Sequence, residues 1–473
     1  MKKPNEGITR RQFVQGIAAA ATATAVFPQI VPRHVVGGAG YTPPSETVLV
    51  AGIGASMMGT QDMRSAVRAG AKIVAISDVD ANRVQDTFKE HSITKNYIDY
   101  REMLEKEKDI DAVIVATPDH THGVLTNDVI ESGKHVYCEK PLARTVYEVR
   151  KMAEMARKHD VVAQLGNQGR SFNSCLEFCE CIWSGAIGEV REVHATQAAF
   201  GYSRIDRLGE MNGNHAVPDG MDWDRWLGPA PFRKFNPMYH PGAWRGWRQF
   251  GGGNIGDFVC HIIDPVFWAL DLGAPESVVA EVGDYDPVKH GETFPKSSKV
   301  TWQFPVRGKR APVKVTWYDG DQYKPPHPEE IAPGEPVIPE PGWRPNAPVG
   351  ALVIGDKGKI VYGSHGATGW RIIDDEQMTG YMGDRSRVTD DKTTGAPSNF
   401  YHFENWIAAC KGWKEANSNF DVGGELTEIA MVGNIAQLYP GTELTWDAKH
   451  MTFVNHPEAN QHLHGEYRDG WAL

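Results

Sequence analysis

Short apolar runs alternate with amphipathic stretches through the first third of the chain, and that alternation predicts repeated strand–helix units. Thr47–Ala51 is uniformly apolar after its first residue and reads as a buried strand. A glycine-bearing turn and a helical stretch to Ala69 follow. A second strand is expected over Lys72–Ile76, then helices near Asn82–His91 and Tyr100–Lys106. A strand over Ala112–Ala116, a helix near His122–Ser132 and a strand over His135–Cys138 continue the pattern. Such alternation means a doubly wound parallel sheet. From about Gly166 the pattern changes. Strand-like runs at Glu192–Ala198, Ser277–Val282, Lys299–Phe304, Val313–Trp317 and Lys359–Val361 predict a large, mostly antiparallel sheet. Helices are expected over Tyr401–Trp413 and Leu426–Leu438, and Asp321–Pro348, rich in Pro and Glu, reads as a surface loop. The expected class is α/β, with an N-terminal doubly wound domain over 45–165, a C-terminal α+β domain over 166–455 and a tail over 456–473.

The first 39 residues fit neither pattern. Thr9-Arg10-Arg11-Gln12-Phe13 precedes an uncharged, Ala-rich stretch from Ile17 to Phe27, too short to span a bilayer. This resembles a twin-arginine export signal, so the mature protein is expected to be exported to the periplasm in the folded state.

Composition narrows the function classes. The 473 residues are 41% hydrophobic and 23% charged, with a net charge of −11, which argues against a nucleic-acid partner. The 6 cysteines are too few for a disulfide scaffold. Cys175, Cys179 and Cys181 lie close together, but a fourth ligand at zinc spacing is missing, so they read as small buried thiols and no metal is expected.

The turn after the first strand is Gly52-Ile53-Gly54-Ala55-Ser56-Met57-Met58-Gly59. Glycines here let the backbone approach a pyrophosphate at the helix N-terminus. Met57 stands where a third glycine is usual, and Gly59 comes two residues later. Asp78 ends the second strand, where a carboxylate would accept hydrogen bonds from the adenosine ribose and repel a 2′-phosphate. NAD is therefore expected over NADP, although nearby Arg83 leaves NADP open.

Two further motifs carry a family resemblance. Glu139-Lys140-Pro141 follows the expected strand His135–Cys138 and is preceded by Thr117-Pro118-Asp119-His120-Thr121-His122. Gly251-Gly252-Gly253 leads into Asp257, His261 and Asp264, whose spacing of four and three residues puts them on one helix face. In this order the motifs resemble the Gfo/Idh/MocA oxidoreductases, and the resemblance covers nearly all of the chain after the leader. It implies a hydride transfer between a nicotinamide cofactor and a hydroxyl or keto carbon of a sugar, glycoside or cyclitol. Lys140, Asp257 and His261 are the implied catalytic residues. The division of acid/base work between Lys140 and His261 varies within that family. Gly52, Ile53, Gly54, Ala55, Ser56, Asp78, Thr117, Pro118, His122, Glu139, Lys140 and Gln168 are the expected cofactor contacts, and the cofactor is expected to be held tightly. A homo-oligomer, dimer or tetramer, formed through the C-terminal sheet is also implied. Competing readings are a redox-assisted glycosidase and a non-catalytic sugar or nucleotide sensor; the intact Lys140, Asp257 and His261 count against the sensor.

A dense aromatic and basic stretch precedes the second motif: Trp223, Arg225, Trp226, Tyr239, His240, Trp244, Arg245, Trp247 and Arg248. Flat rings and forked donors suit the C–H faces and vicinal hydroxyls of a carbohydrate. At least half of the tryptophans should nevertheless be core. Trp244 and Arg245, which lead into the glycines, are expected to bind substrate together with Arg170, Asp257 and His261.

Overall fold

The computed structural model describes residues 46–338, 348–383 and 399–473; the segment 1–39, expected to be an export signal, and part of the loop 321–348 lie outside them. Six short strands form the first sheet: β1 (Leu49–Ile53), β2 (Lys72–Ser77), β3 (Asn96–Tyr97), β4 (Ala112–Val115), β5 (His135–Glu139) and β6 (Ala163–Gly166). Their order is β3-β2-β1-β4-β5-β6, every pairing parallel. The order reverses beside β1, so a crevice opens at the carboxyl ends of β1 and β4, where such sheets bind ligands. The connecting helices include α1 (Met58–Arg68), α2 (Asp119–Glu131) and α3 (Val146–His159). Helix α3 starts at a capping box: the Thr145 hydroxyl accepts from Glu148 N–H, and the Glu148 carboxylate accepts from Thr145 N–H. Both β3 and α3 escape the hydropathy pattern.

The second sheet has nine strands in the order β13-β12-β11-β7-β10-β9-β8-β14-β15. These are β7 (Val190–Gln197), β8 (Ser277–Gly283), β9 (Ser297–Phe304), β10 (Val313–Asp319), β11 (Val349–Gly355), β12 (Lys359–Gly363), β13 (Arg371–Ile372), β14 (Leu444–Asp447) and β15 (Thr452–Phe453). Neighbours run antiparallel except for β7 and β10, which are parallel, so the sheet is mostly antiparallel as its sequence predicts. Cys175, Cys179 and Cys181 sit on one helix, Asn173–Trp183, and all three are buried.

Three further helices join the two sheets. In α4 (Gly253–Ile262) every residue is buried. Helix α5 (Asn399–Cys410) returns to the first sheet, where Phe403, Trp406 and Ile407 pack with Val50, Ile114 and Tyr137. The chain between 166 and 455 thus contributes to the N-terminal core. Helix α6 (Phe420–Ala436) touches both sheets through glycines. A Cβ on Gly423 would lie 2.7 Å from Leu165 Cβ of β6, and one on Gly433 would lie 2.5 Å from the Trp302 ring of β9.

Candidate active site

The Gly52–Gly59 turn owes its shape to steric exclusion. Gly54 has φ +83°, and a Cβ there would meet the Ala116 carbonyl oxygen at 2.6 Å. A Cβ on Gly59 would lie 2.0 Å from the Gly54 carbonyl oxygen, so Gly59 lets α1 press against the turn. This is the packing role expected of the third glycine, moved two residues along the chain. Met57 itself is left-handed, φ 49°, and 65% exposed at the mouth of the crevice.

The crevice is a cleft of about 1270 Å³. Ile53, Gly54, Ser56, Asp78, Thr117, Pro118, Glu139, Lys140, Trp244 and Arg245 all form part of its wall. Asp78 is braced there: its carboxylate accepts from Ala55 N–H at 2.8 Å and Asp80 N–H at 2.9 Å. Burial raises its pKa, while these two N–H groups work the other way. A carboxylate fixed at one end, a glycine turn at a helix N-terminus in the middle and Lys140 beyond fit the ribose, pyrophosphate and nicotinamide of an NAD molecule.

Beyond Lys140 the residues expected to be catalytic in the two motifs converge. Lys140 Nζ lies 2.5 Å from Asp257 Oδ1, with both side chains nearly buried. The Tyr202 hydroxyl donates to Asp257 Oδ2 at 2.6 Å, and Arg245 Nε stands 3.5 Å from Oδ1. Burial disfavours a charge on Asp257, but Arg245, Lys140 and Tyr202 together hold its carboxyl below the usual range. Asp119 locks this arrangement to the first sheet: its Oδ1 accepts from Arg245 at 3.0 Å and its Oδ2 from Gly252 N–H at 2.9 Å, at the entry to α4.

His261 lies one helical turn beyond Asp257, on the same face of α4. Its ring stacks on His365, centroids 3.9 Å apart and planes 25° apart. Burial holds His261 well below the ordinary histidine range, with His365, Lys140 and Arg245 adding to the effect. His365, at the turn after β12, is lowered to about 4 by burial and by Lys140. Both imidazoles are therefore neutral near pH 7.

Several expected contacts fall elsewhere. Gly52 is covered by Met63 of α1, and Ala55 is buried, bracing Asp78 through its N–H. His122 is not in the cleft wall; its ring nitrogens face the Pro141 and Thr117 carbonyl oxygens at 2.9 and 2.8 Å. Burial opposes a charge there, yet Cys138, Asp119 and the Pro141 carbonyl push its pKa up to about 10. His122 thus clamps the loops that carry Thr117 and Lys140. Gln168 is also outside the wall. Arg170, expected at the substrate, is instead committed to the core: it donates to Asp264 at 2.7 Å and to the Asn417 carbonyl, and it lies over Trp268. Asp264, expected on one face with Asp257 and His261, instead starts the helix after α4, Asp264–Leu270, and pairs inward with Arg170. Of the aromatic stretch, Trp223, Trp226, Tyr239 and Trp247 are core, as expected, whereas Trp244 lines the cleft with the Arg245 guanidinium over its ring.

Sequence reasoning missed Tyr202, His365 and the role of Asp119. Asp119 sits inside the quoted Thr117–His122 motif. Gly363-Ser364-His365-Gly366 follows a recognised strand, and its glycines were a usable signal. Nothing in the sequence around Tyr202 marks it.

Comparison with known proteins agrees with this geometry. Residues 48–167 match the oxidoreductase family with an NAD-binding Rossmann fold, and residues 184–305 match the C-terminal α/β domain of the same oxidoreductases. Inositol 2-dehydrogenase 1 of Saccharopolyspora erythraea is 34% identical over 187 residues, 38% of this chain and 54% of that protein. The 1,5-anhydro-D-fructose reductase of Ensifer adhaerens is 28% identical over 231 residues, 48% of this chain and 57% of that protein. The matches thus span little more than half the length of these curated relatives. Among solved structures, the WlbA dehydrogenase of Bordetella pertussis, in complex with NADH and UDP-GlcNAcA, superposes with a TM-score of 0.57 at 16% identity, covering 85% of this chain and 99% of that one. Levoglucosan dehydrogenase, in complex with NADH and levoglucosan, gives 0.54 at 17% identity, covering 84% and 99%. The two matched regions, the shared fold and the convergence of Lys140, Asp257 and His261 beside a dinucleotide cleft establish that the chain belongs to the Gfo/Idh/MocA family of oxidoreductases, with an NAD-binding Rossmann domain.

Proposed function

We propose that the protein is an NAD-dependent dehydrogenase acting on a ring hydroxyl of a sugar, glycoside or cyclitol. The observation that carries this reading is the Lys140–Asp257–Tyr202 cluster, with His261 one helical turn away, joined through Lys140 to the cleft whose wall also holds Asp78. Bound NAD supplies the hydride acceptor. Lys140 Nζ donates to the substrate oxygen and stabilises negative charge developing on it. Asp257, fixed by Tyr202 and Arg245, holds the ammonium in place. His261, neutral and buried, takes up the hydroxyl proton and returns it in the reverse direction. Arg245 and Trp244 offer a fork of donors and a flat face to the ring of the substrate. The names of relatives that act on inositol or bind levoglucosan support a polyhydroxylated ring substrate.

The same reading includes export through the twin-arginine-like segment before residue 39, with cofactor loaded in the cytoplasm and kept through many turnovers, and a homo-oligomeric assembly. Retention requires a Kd of ~10 nM or tighter, about −11 kcal/mol. Desalted protein should release close to one NAD(H) per chain on denaturation. The test of function is a panel of sugars, cyclitols and glycosides deuterated at the reacting carbon, with mass spectrometry of product and cofactor. Transfer of deuterium to NAD supports the reading; aglycone release without a reduced cofactor or oxidised sugar would redirect it to a redox-assisted glycosidase.

A further inference from the structure

The cleft wall includes residues far outside the first sheet. Arg225, Trp226, His240, Pro241, Gly242 and Trp471 all border it. Trp471 belongs to a segment the sequence marks only as a tail, yet that segment is tied down firmly. Arg468 N–H donates to the Pro229 carbonyl at 3.0 Å, and its guanidinium donates to the Gly228 carbonyl at 2.7 and 2.9 Å and to Asp224 Oδ1 at 2.6 Å. Trp471 N–H then donates back to the Arg468 carbonyl at 3.1 Å, closing a turn that sets the indole. The Arg101 guanidinium lies over that indole, 4.9 Å from its centre. Upstream, the Tyr467 hydroxyl donates to buried Glu148 at 3.0 Å.

The place of the indole decides what it can meet. Asp78 marks the ribose and Lys140 the nicotinamide end. Trp471 shares the cleft wall with Ile98 and Tyr100, which follow β3, the neighbour of the β2 strand that leads into Asp78, and with Thr121 and Leu125 of α2. Apart from Trp471, these residues give that part of the wall an apolar slot suited to a flat heterocycle, with the indole as a further aromatic surface. A second clasp reinforces it: His240 Nε2 lies 2.8 Å from Asp80, whose N–H braces Asp78.

We propose that the Arg468–Trp471 segment is a strap that closes the adenosine end of the NAD site and sets how slowly the cofactor leaves. The inference rests on the NAD-dependent reading above. It assigns retention to residues far from the glycine turn, and it gives an exported enzyme a structural reason to keep its cofactor. Stacking of a base on an aromatic ring is worth roughly 1–3 kcal/mol, about 5- to 150-fold in affinity.

The test compares wild-type holoprotein with Trp471→Ala, Trp471→Phe and Arg468→Ala. Release of bound labelled NAD is followed during a chase with unlabelled NAD, and AMP and NMN are compared as competitors for rebinding. Trp471→Ala should speed release roughly 5- to 150-fold. Trp471→Phe should recover most of the wild-type rate. The affinity for AMP should fall in parallel while that for NMN stays unchanged. Arg468→Ala frees the strap without altering an aromatic surface, so it decides the matter if Trp471→Ala does not fold. Wild-type release rates in Arg468→Ala, or equal losses for AMP and NMN, would overturn the strap. A wild-type protein that binds no NAD would instead overturn the functional reading beneath it.

Discussion

Asp257→Asn is the most informative single change, because it preserves the shape of the site and removes one charge. The carboxylate is nearly buried and faces two cations and a hydroxyl: Lys140 at 2.5 Å, Arg245 at 3.5 Å and Tyr202 at 2.6 Å. Coulomb's law with an effective dielectric constant of ~20 gives about 7 kcal/mol for the first contact and about 5 for the second. Most of this is offset by the cost of taking the charges out of water. What remains visible is the penalty of leaving Lys140 and Arg245 without their shared partner, about 3–5 kcal/mol. The variant should therefore unfold at lower denaturant by that amount at pH 7, and turnover should fall by about 10²–10⁴-fold as the Lys140 ammonium loses its position. The pH dependence has a definite sign. The folded carboxyl is held below its unfolded value, so its contribution is complete above the ordinary carboxylate range and is lost as pH falls through the depressed folded value. The gap between wild type and variant should be flat from pH 5 to 8 and narrow only in strong acid. Denaturant titrations across that range, paired with single-turnover kinetics, check both parts. A variant within about 0.5 kcal/mol of wild type and with near-normal turnover would refute the assignment of Asp257.

Three further changes test the rest of the site. His261→Ala should leave NAD content unchanged but slow turnover by about 10²–10⁴-fold; near-normal turnover on the true substrate would remove the histidine from the mechanism. Asp78→Ser should narrow or reverse the preference for NAD over NADP, read as the ratio of kcat/KM values, and a native preference for NADP would mean that Arg83 governs the pocket. Gly59→Ala pushes a methyl against the Gly54 carbonyl oxygen and should cost about 1–3 kcal/mol or more of stability, together with weaker NAD binding, measured by thermal unfolding with and without NAD; an unperturbed variant would mean that α1 can draw back from the turn.

Periodicity revealed those parts of the fold that bury one face or both in a regular way. The strands β1 and β4 are wholly apolar, and β2 and β5 are apolar between polar ends, because both faces are covered, and β8, β9, β10 and β12 lie within a residue or two of their expected ends. Helix α3 was passed over although Thr145 and Glu148 spell a capping box, since Arg150, Lys151 and Glu154 dilute its apolar stripe. Strand β3 has two residues and is held by pairing to β2, which no local pattern encodes. Strand β11 directly follows a Pro-rich segment, whose turn residues masked its start.

The active site divides along a different line. Lys140, Asp257 and His261 were legible only through the family resemblance, because each lies in a compact motif that the resemblance quotes. Tyr202, His365 and Trp471 were not, because Tyr202 and His365 reach Asp257 and His261, and Trp471 the cleft wall, from loops whose paths are set only by tertiary contacts. His365 shows the point most clearly. A Cβ on Gly169 would stand 2.4 Å from Gly366 N, and one on Gly366 would stand 2.2 Å from the Gly169 carbonyl oxygen. The imidazole is thus carried to His261 by a close crossing of two loops almost 200 residues apart in sequence. Arg170 fails as a substrate contact for the converse reason. Its position after the last strand of the first sheet suggested the site, but a buried carboxylate, Asp264, stands within 2.7 Å and claims it. The spacing put Asp257 and His261 on one face of α4, as expected, but α4 ends at Ile262 and Asp264 opens the next helix, Asp264–Leu270. Asp257 meets Lys140 at the cleft, whereas Asp264, two turns on, meets Arg170 in the core. A motif fixes the spacing of its residues; only the opposing surface decides which of them meets substrate.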